Sequence, residues 1–259
     1  MSHWLRCRHD GRVLFGTTDP SASEPEVTVY EGDMFDAPAA TGERLPLDVV
    51  ELLTPCEPTK MIGLWNNLAA AAAEQGRSAP PDPLFFFKPP SCFLPPGGII
   101  RKPSSHHGRV IFEAELGVVI GKRCKDVAEA ELDDCIFGYT CINDVTAPQL
   151  LREDPSFDQW SRAKSLDTFG AFGPVIATNV ELDSLRIIGR VDGEVRQDFP
   201  ANDMFLSPAE LVRLISRDMT LMPGDIIACG TSSGTLTIEP GATVEIAIEG
   251  IGTLVNCFS

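Results

Sequence analysis

The sequence lacks several features that would assign it to a class at once. Its 259 residues contain no apolar run near the roughly 18 residues needed to span a bilayer. Basic residues are scarce, with 21 lysines and arginines against 37 aspartates and glutamates, so the net charge is −16. This balance argues against nucleic acid and against an anionic membrane as partners.

Closely spaced cysteines and a targeting signal are missing too. The eight cysteines include no pair at CxxC spacing, which argues against zinc ribbons and redox motifs. Residues 1–8 lack the apolar core of a signal peptide. We therefore expect a cytoplasmic protein whose cysteines act as small apolar side chains in a reducing compartment.

The chain divides into two predicted units. Residues 1–57 are expected to form a small β domain, with strand patterns at 11–15 and 26–30 separated by turn-forming residues. Pro55 and Pro58 then forbid a continuing helix and predict a linker. Residues 58–259 form the second unit, which contains every candidate for chemistry.

One apolar, β-branched stretch at 110–121 predicts a buried strand, and two carboxylates interrupt it. Glu113 and Glu115 would share one face of that strand, roughly 7 Å apart. Buried like charges at that spacing require a cation, a shared proton or water. The alternative is an edge strand with one polar face in solvent. Asp144, at the end of a later strand, is a candidate third metal ligand or a turn residue.

Other elements follow from periodicity and capping. Apolar runs predict strands at 60–64, 84–88, 135–142, 226–229 and 243–248. Capping patterns predict helices at 66–76, from 126 to 133 or 134, at 157–162, and from Ser207 to about Arg217.

Two further segments contain polar groups, and each allows two interpretations. The small residues at 230–234 leave backbone N–H groups free to face an anion, or else form a hairpin turn. His106 and His107 lie in a turn before the central strand, where solvated histidines are the usual interpretation and a catalytic role the alternative.

Five motifs in order resemble the fumarylacetoacetate hydrolase family over roughly residues 58–256. They are EAEL at 113–116, NDVTA at 143–147, RAKSLDTF at 162–169, LMPGD at 221–225 and GTS at 230–232. The resemblance implies an α+β, predominantly β fold, namely a mixed β-sandwich roll with short helices and a small N-terminal domain. It also implies a homodimer.

The resemblance further implies the site. It assigns Glu113, Glu115 and Asp144 to one Mg²⁺ or Mn²⁺ ion, an all-oxygen ligand set that suits both metals. It makes Lys164 the active-site lysine beside an enolate formed from a 2-oxo acid. Gly230, Thr231 and Ser232 would hold a polar end of the substrate, and Gln159 is a weaker candidate. Arg162 could add positive charge.

The sequence also departs from the family. Members that hydrolyse or decarboxylate carry a His and, three residues later, a Glu on a lid segment, where this chain has Ala69 and Ala72. The family's Arg after NDVTA is replaced by Pro148. These changes remove the groups expected to activate water and deliver protons.

The sequence therefore predicts a metal-dependent enzyme acting on a small 2-oxo acid or dicarboxylate in catabolism, aromatic or central. C–C bond hydrolysis, decarboxylation and keto–enol isomerisation are the expected reactions. The alternatives are a 2-oxo-4-enoate hydratase and a non-catalytic relative that binds metal and a 2-oxo acid without turnover.

Overall fold

Apolar residues at alternate positions run through much of the chain, and strands accordingly dominate the fold. The computed structural model describes the backbone of all 259 residues and every side chain except that of Asp133. The strands are β1 His3–His9, β2 Arg12–Thr18, β3 Glu26–Asp33, β4 Asp36–Pro46, β5 Glu51–Leu52, β6 Met61–Trp65, β7 Leu84–Lys88, β8 Phe93–Leu94, β9 Ile99–Ile100, β10 Ala114–Ile120, β11 Ile136–Asp144, β12 Gly170–Ala177, β13 Arg186–Val191, β14 Glu194–Pro200, β15 Ile226–Ala228, β16 Thr243–Ile248 and β17 Gly252–Phe258.

The helices are short, and the predominantly β class predicted from the sequence is confirmed. The α-helices are α1 Ala69–Glu74, α2 Pro148–Leu151, α3 Trp160–Lys164 and α4 Pro208–Asp218. Turns of 3₁₀ helix occupy Leu47–Val49, Pro90–Cys92, Glu129–Glu131, Asp133–Cys135 and Ala201–Asp203.

The strands form two sheets. The larger has twelve strands in the order β4-β3-β2-β1-β12-β11-β10-β15-β6-β7, with β5 on β1 and β8 on β12. The smaller has the order β14-β13-β16-β17-β9. Strands β10 to β12 pack against the smaller sheet. Because β1 pairs with β12, the first four strands extend the larger sheet.

The main core lies between the sheets. Phe112, Leu116 and Val145 from the larger sheet's side pack with Ile187 and Ile246 of the smaller one, and all five are buried. On the other face, α4 packs Leu211 and Ile215 against the large sheet. Helix α4 follows its prediction closely, since Ser207 accepts from the Glu210 N–H and Glu210 accepts from the Ser207 N–H.

Three predicted helices differ from the structure. The one expected at 157–162 lies instead at Trp160–Lys164. The alanine-rich helix begins at Ala69, later than expected, because the Asn67 side chain is taken up by Leu206 and the Cys229 carbonyl and cannot cap it. The helix predicted from residue 126 consists instead of two separate 3₁₀ turns at 129–131 and 133–135. Asp126 itself has a φ of +51°, which is incompatible with a helix start.

The LMPGD motif at 221–225 is structural. Asp225 is fully buried, and its carboxylate accepts from the backbone N–H groups of Thr59, Lys60 and Met222. It also pairs with the Lys60 ammonium. The motif therefore fixes the entry of β6 and β15, two parallel neighbours near the β7 end of the larger sheet.

Among the described residues, no helix has both the length and the apolar composition required to cross a membrane.

Candidate active site

Three carboxylates meet where β10 begins and β11 ends. Glu113, Glu115 and Asp144 each offer an oxygen, and these oxygens lie within 4.8 Å of one another. Asp144 and Glu115 are buried, whereas the Glu113 side chain has a relative solvent exposure of 12%. Antiparallel pairing of β10 with β11 sets Ala114 opposite Asn143, which brings the two motifs to the same level of the sheet.

Glu113 is placed by a backbone bond from β11, in which its carbonyl accepts from the Asp144 N–H at 3.0 Å, and by two side chains. The expected strand at 110–121 is shorter in the structure, and Glu113 lies just before β10. Its backbone N–H donates to Asn143 Oδ1 at 3.2 Å, and Thr146 Oγ1 donates to its carboxylate at 3.1 Å. Residues at the end of β11 and just after it therefore hold Glu113 in position.

Two buried lysines face these carboxylates. Lys164, the last residue of α3, pairs with Glu113 and lies 2.6 Å from Asp144 Oδ2. Lys88, the last residue of β7, lies 2.6 Å from Asp144 Oδ1 and also donates to the carbonyl of Lys164. We call these three acids and two lysines the charged floor.

Charge in the floor is unevenly balanced. Burial raises the pKa of Glu113 and raises that of Glu115 well above its ordinary value, where Asp144 and Glu113 add to the effect. Burial opposes ionisation of Asp144 as well, but Lys164 and Lys88 outweigh it and lower the Asp144 pKa. Burial would lower the pKa of Lys164, yet Asp144 and Glu113 reverse the shift and raise it.

Glu115 is the acid with the weakest compensation. Its Oε2 accepts from the Gly230 N–H at 2.9 Å. No described lysine or arginine forms an ion pair with it, whereas Glu113 and Asp144 each have one or more. Glu115 is thus the acid of the floor that has no cationic partner among the described residues.

The segment at 230–232 borders the floor and is held by Gln197, a buried residue of β14. Gln197 Nε2 donates to Thr231 Oγ1 at 2.9 Å and to the Ser232 carbonyl at 2.8 Å. Thr231 Oγ1 in turn donates to the Ala114 carbonyl at 2.9 Å. The segment is therefore part of a fixed loop, and it does not form the hairpin considered as an alternative.

A cleft of about 990 Å³ opens above the floor. Aromatic side chains form one wall, with Phe86 stacked on Trp160 at 5.3 Å between ring centroids and Trp65 meeting Trp160 edge-on at 6.1 Å. Lys164 Nζ lies 4.9 Å from the Phe86 centroid. Glu113, Glu115, Lys164, Thr231 and Ser232 all line this cleft.

Several sequence candidates lie elsewhere. Gln159 precedes α3 and lines a neighbouring depression rather than the cleft. Arg162 is exposed and pairs with Glu153 at 2.6 Å. His106 is buried, with Nε2 donating to the Arg109 carbonyl at 3.1 Å, and His107 is exposed.

The alanines of α1 border the same cleft. Ala71 and Ala72 line it, while Ala69 begins the helix. Pro148 also lines the cleft, as the first residue of α2. The positions at which the sequence departs from the expected pattern therefore lie at or beside the cleft wall.

Two residues of the site were not identified from the sequence. Lys88 was expected only to end a buried strand, although a lysine after four apolar residues signals a buried cation that needs a partner. Gln197 shares a strand face with buried Phe199, and a polar side chain on such a face signals a structural or binding role.

Comparisons with known families cover nearly the whole chain. Residues 60–259 match the family described as Fumarylacetoacetate (FAA) hydrolase C-terminal. Residues 2–55 match the family described as Rv2993c-like, N-terminal.

Individual relatives agree with these family matches. The chain is 41% identical to Protein Rv2993c of Mycobacterium tuberculosis over 250 residues, covering 94% of this chain and 93% of that protein. A crystal structure of 2-hydroxyhepta-2,4-diene-1,7-dioate isomerase from Mycobacterium marinum superposes with a TM-score of 0.90 at 36% identity, covering 100% of this chain and 98% of that one. Maleylpyruvate hydrolase from Sphingobium sp. SYK-6, in complex with manganese(II) and pyruvate, gives 0.70 at 31% identity, with coverage of 83% and 76%.

Proposed function

Since the chain belongs to the fumarylacetoacetate hydrolase family, we propose that it is a divalent-metal-dependent enzyme that interconverts keto and enol forms of a small 2-oxo acid. The observation that carries the proposal is the charged floor, in which three carboxylates and Lys164 meet beneath an open cleft. An isomerase and a hydrolase among its structural relatives support an enzyme of this general class.

The donor set fits a Mg²⁺ or Mn²⁺ ion. Glu113, Glu115 and Asp144 supply only oxygen, which both ions prefer. Glu115 is buried without a cation of its own, and a divalent ion would offset the cost of that charge. When bound, such an ion acts as a Lewis acid that polarises the carbonyl of a 2-oxo acid.

Lys164 would stabilise negative charge as it develops on the substrate. Its ammonium is buried, and its raised pKa keeps it protonated at neutral pH. A fixed, buried cation stabilises a nearby oxyanion more strongly than water does. Lys88 holds Asp144 and Lys164 in position, because its ammonium binds both the Asp144 carboxylate and the carbonyl of Lys164.

The segment at 230–232 would orient the substrate carboxylate. The Gly230 N–H is occupied by Glu115, and the Thr231 hydroxyl proton is directed to Ala114. The N–H groups of Thr231 and Ser232 and the Ser232 hydroxyl are the donors we assign to substrate. Thr231 thus acts through its backbone, with its side chain locking the loop.

Isomerisation is preferred over hydrolysis because of α1. Hydrolysis needs a group that activates water, and the two positions expected to carry it are alanines: Ala72, which lines the cleft, and Ala69, which begins α1. Enolisation needs charge stabilisation and a proton exchange with solvent, which the open cleft permits. C–C bond cleavage stays the second candidate, supported by the maleylpyruvate hydrolase relative.

Proton NMR in D₂O tests the proposal. Purified protein with Mg²⁺ is expected to accelerate exchange of the C3 protons of 2-oxo acids above the metal-only rate, and EDTA should abolish the effect. Lys164→Met should reduce exchange roughly 10²–10³-fold. Lys122→Met, which removes an exposed lysine far from the cleft lining, is the matched control.

Absence of exchange in protein that binds Mn²⁺ would contradict the enzyme assignment for these substrates and favour a binding protein. Formation of pyruvate or of a cleaved acid would instead select C–C bond cleavage. The homodimer expected from the sequence stays a prediction, which sedimentation velocity can test.

A further inference from the structure

The acidic chain places a set of arginines around the cleft above the charged floor. Arg77, Arg109 and Arg152 line the cleft from three separate segments, and all three are exposed. Besides Glu113 and Glu115, Asp158 is the acid among the lining residues. In a protein of net charge −16, this local excess of positive charge is notable. We call the three residues the arginine rim.

The rim arginines have no acidic partner. None of the three forms an ion pair with a described carboxylate, which is also true of Arg101, Arg123, Arg190, Arg213 and Arg217, whereas the remaining seven arginines do form one. Those seven are Arg6, Arg8, Arg12, Arg44, Arg162, Arg186 and Arg196. The guanidinium groups of the rim therefore stay available for an anion that enters the cleft.

Local contacts hold two of the rim residues in place. The Arg77 guanidinium carbon lies 4.5 Å from the Trp65 ring centroid, and its Nη1 donates to Gln75. The Arg109 carbonyl accepts from buried His106. The loop before Arg109 is closely packed, since a Cβ on Gly108 would lie 2.6 Å from the His106 ring.

Arg152 comes from a third segment of the chain. It directly follows α2, whose last residue, Leu151, accepts from the Gln159 N–H at 2.8 Å. Its neighbour Glu153 is already paired with Arg162. The nearest acid in sequence therefore does not compete for the Arg152 side chain.

We infer that the arginine rim binds a second, distal carboxylate of the substrate, so that the cleft selects dicarboxylic over monocarboxylic 2-oxo acids. The inference rests on the proposed function, which places the 2-oxo acid end at the charged floor. Arginine is suited to this role because its planar fork donates two parallel hydrogen bonds to one carboxylate. The rim also attracts dianions toward a protein that otherwise repels them.

A pair of ligands of equal chain length tests the inference. 2-Oxoglutarate and 2-oxopentanoate differ only in a terminal carboxylate against a methyl group. Their binding in the presence of Mg²⁺ can be followed by tryptophan fluorescence, since Trp65 and Trp160 line the cleft. Wild-type protein is expected to bind 2-oxoglutarate at least about tenfold more tightly, because a charge-assisted hydrogen bond is lost with the methyl analogue.

Variants assign the preference to the rim. Arg109→Gln and Arg152→Gln should each weaken 2-oxoglutarate roughly tenfold and leave 2-oxopentanoate unchanged. Arg109→Lys keeps the charge but loses the bidentate geometry, so it should recover part of the affinity. Arg123→Gln, an exposed arginine outside the cleft lining, makes the same change in net charge and should have no effect.

Three results would overturn the inference: no preference in the wild-type protein, no binding of either ligand at millimolar concentration, or equal weakening of both ligands by the rim variants. Proton exchange separates this from the proposed function. If C3 exchange occurs without a rim-dependent preference, the proposed enzymatic function is supported and carboxylate binding by the arginine rim is contradicted. If rim-dependent binding occurs without exchange, carboxylate binding by the rim is supported and the proposed enzymatic function is contradicted.

Discussion

The floor and the rim of the cleft carry charge in opposite ways. In the floor, three acids and two lysines are packed together at the ends of strands and helices, and most of them are fully buried. On the rim, three arginines project from loops into solvent without acidic partners. Charge in the floor is therefore tied to folding, whereas charge on the rim is free to act on a ligand.

This difference follows from dielectric environment. Buried charges interact strongly and cost several kcal/mol when left unpaired, so each floor residue depends on the others. Exposed charges are screened by water and salt and contribute little to stability. A substitution that leaves a floor charge unpaired should therefore disturb both fold and function, while one on the rim should affect binding alone.

Lys88→Met gives the largest expected effect. Lys88 is fully buried against Asp144, and its removal leaves that carboxylate with Lys164 as its remaining cation. Breaking one side of a buried pair costs about 3–5 kcal/mol, so we expect unfolding free energy to fall by about this amount in urea titration.

The double variant Lys88→Met with Asp144→Asn should regain part of that stability, because the unpaired charge is then gone. Lys122→Met, which breaks an exposed pair with Asp134, should cost no more than about 1 kcal/mol. Equal losses for Lys88→Met and Lys122→Met would show that the floor is not a tightly coupled unit.

Glu115→Gln comes next, and it should separate stability from metal binding. We expect Mn²⁺ affinity, measured by calorimetry, to fall by about 100-fold or more, since even the outer partners of metal ligands contribute 10–100-fold. Glu249→Gln, on an exposed turn, is the control and should bind Mn²⁺ like the wild type.

The same variant should not destabilise the metal-free protein. Folding raises the pKa of Glu115, so the folded state binds the extra proton, and stability is lost as pH rises from the unfolded pKa to the folded one. Glutamine removes that loss. Metal-free Glu115→Gln should therefore melt at or above the wild-type temperature at pH 7, and a clear decrease would contradict a poorly compensated Glu115.

The floor was largely predictable from sequence because its acids belong to recognisable motifs, two of them within one predicted strand and one at the end of another. Glu113, Glu115, Asp144 and Lys164 come together as expected. Elements with local signals were also predictable, such as β7 and β16, whose bounds match the predicted ones. Helix α4 has its own capping box and needs no distant contact to define its start.

The remainder depends on contacts between distant segments. Lys88 is recognised as part of the floor only when its partner, 56 residues away, is known. The 126–134 segment has capping spacing, but its backbone is fixed by bonds to Ser216 of α4. The rim arginines come from three loops with no shared pattern, so only the folded chain brings them to one cleft.

His106→Ala tests whether the rim has structural support beneath it. His106 is buried and donates to the Arg109 carbonyl, so its loss should cost about 1–2 kcal/mol and loosen the loop. We expect a lower melting temperature and weaker 2-oxoglutarate binding. The exposed neighbour variant His107→Ala should change neither by a measurable amount, and equal behaviour of the two would remove His106 from the support of the rim.

Arg152→Gln should have the smallest effect on the fold and sharpens the comparison most. Its side chain is exposed and forms no ion pair with a described residue, so unfolding free energy should change by less than about 0.5 kcal/mol. Raising NaCl from low to high concentration should reduce the wild-type preference for 2-oxoglutarate toward that of Arg152→Gln, because exposed charges are screened. A preference insensitive to salt would place the selecting charge in the buried floor instead of on the rim.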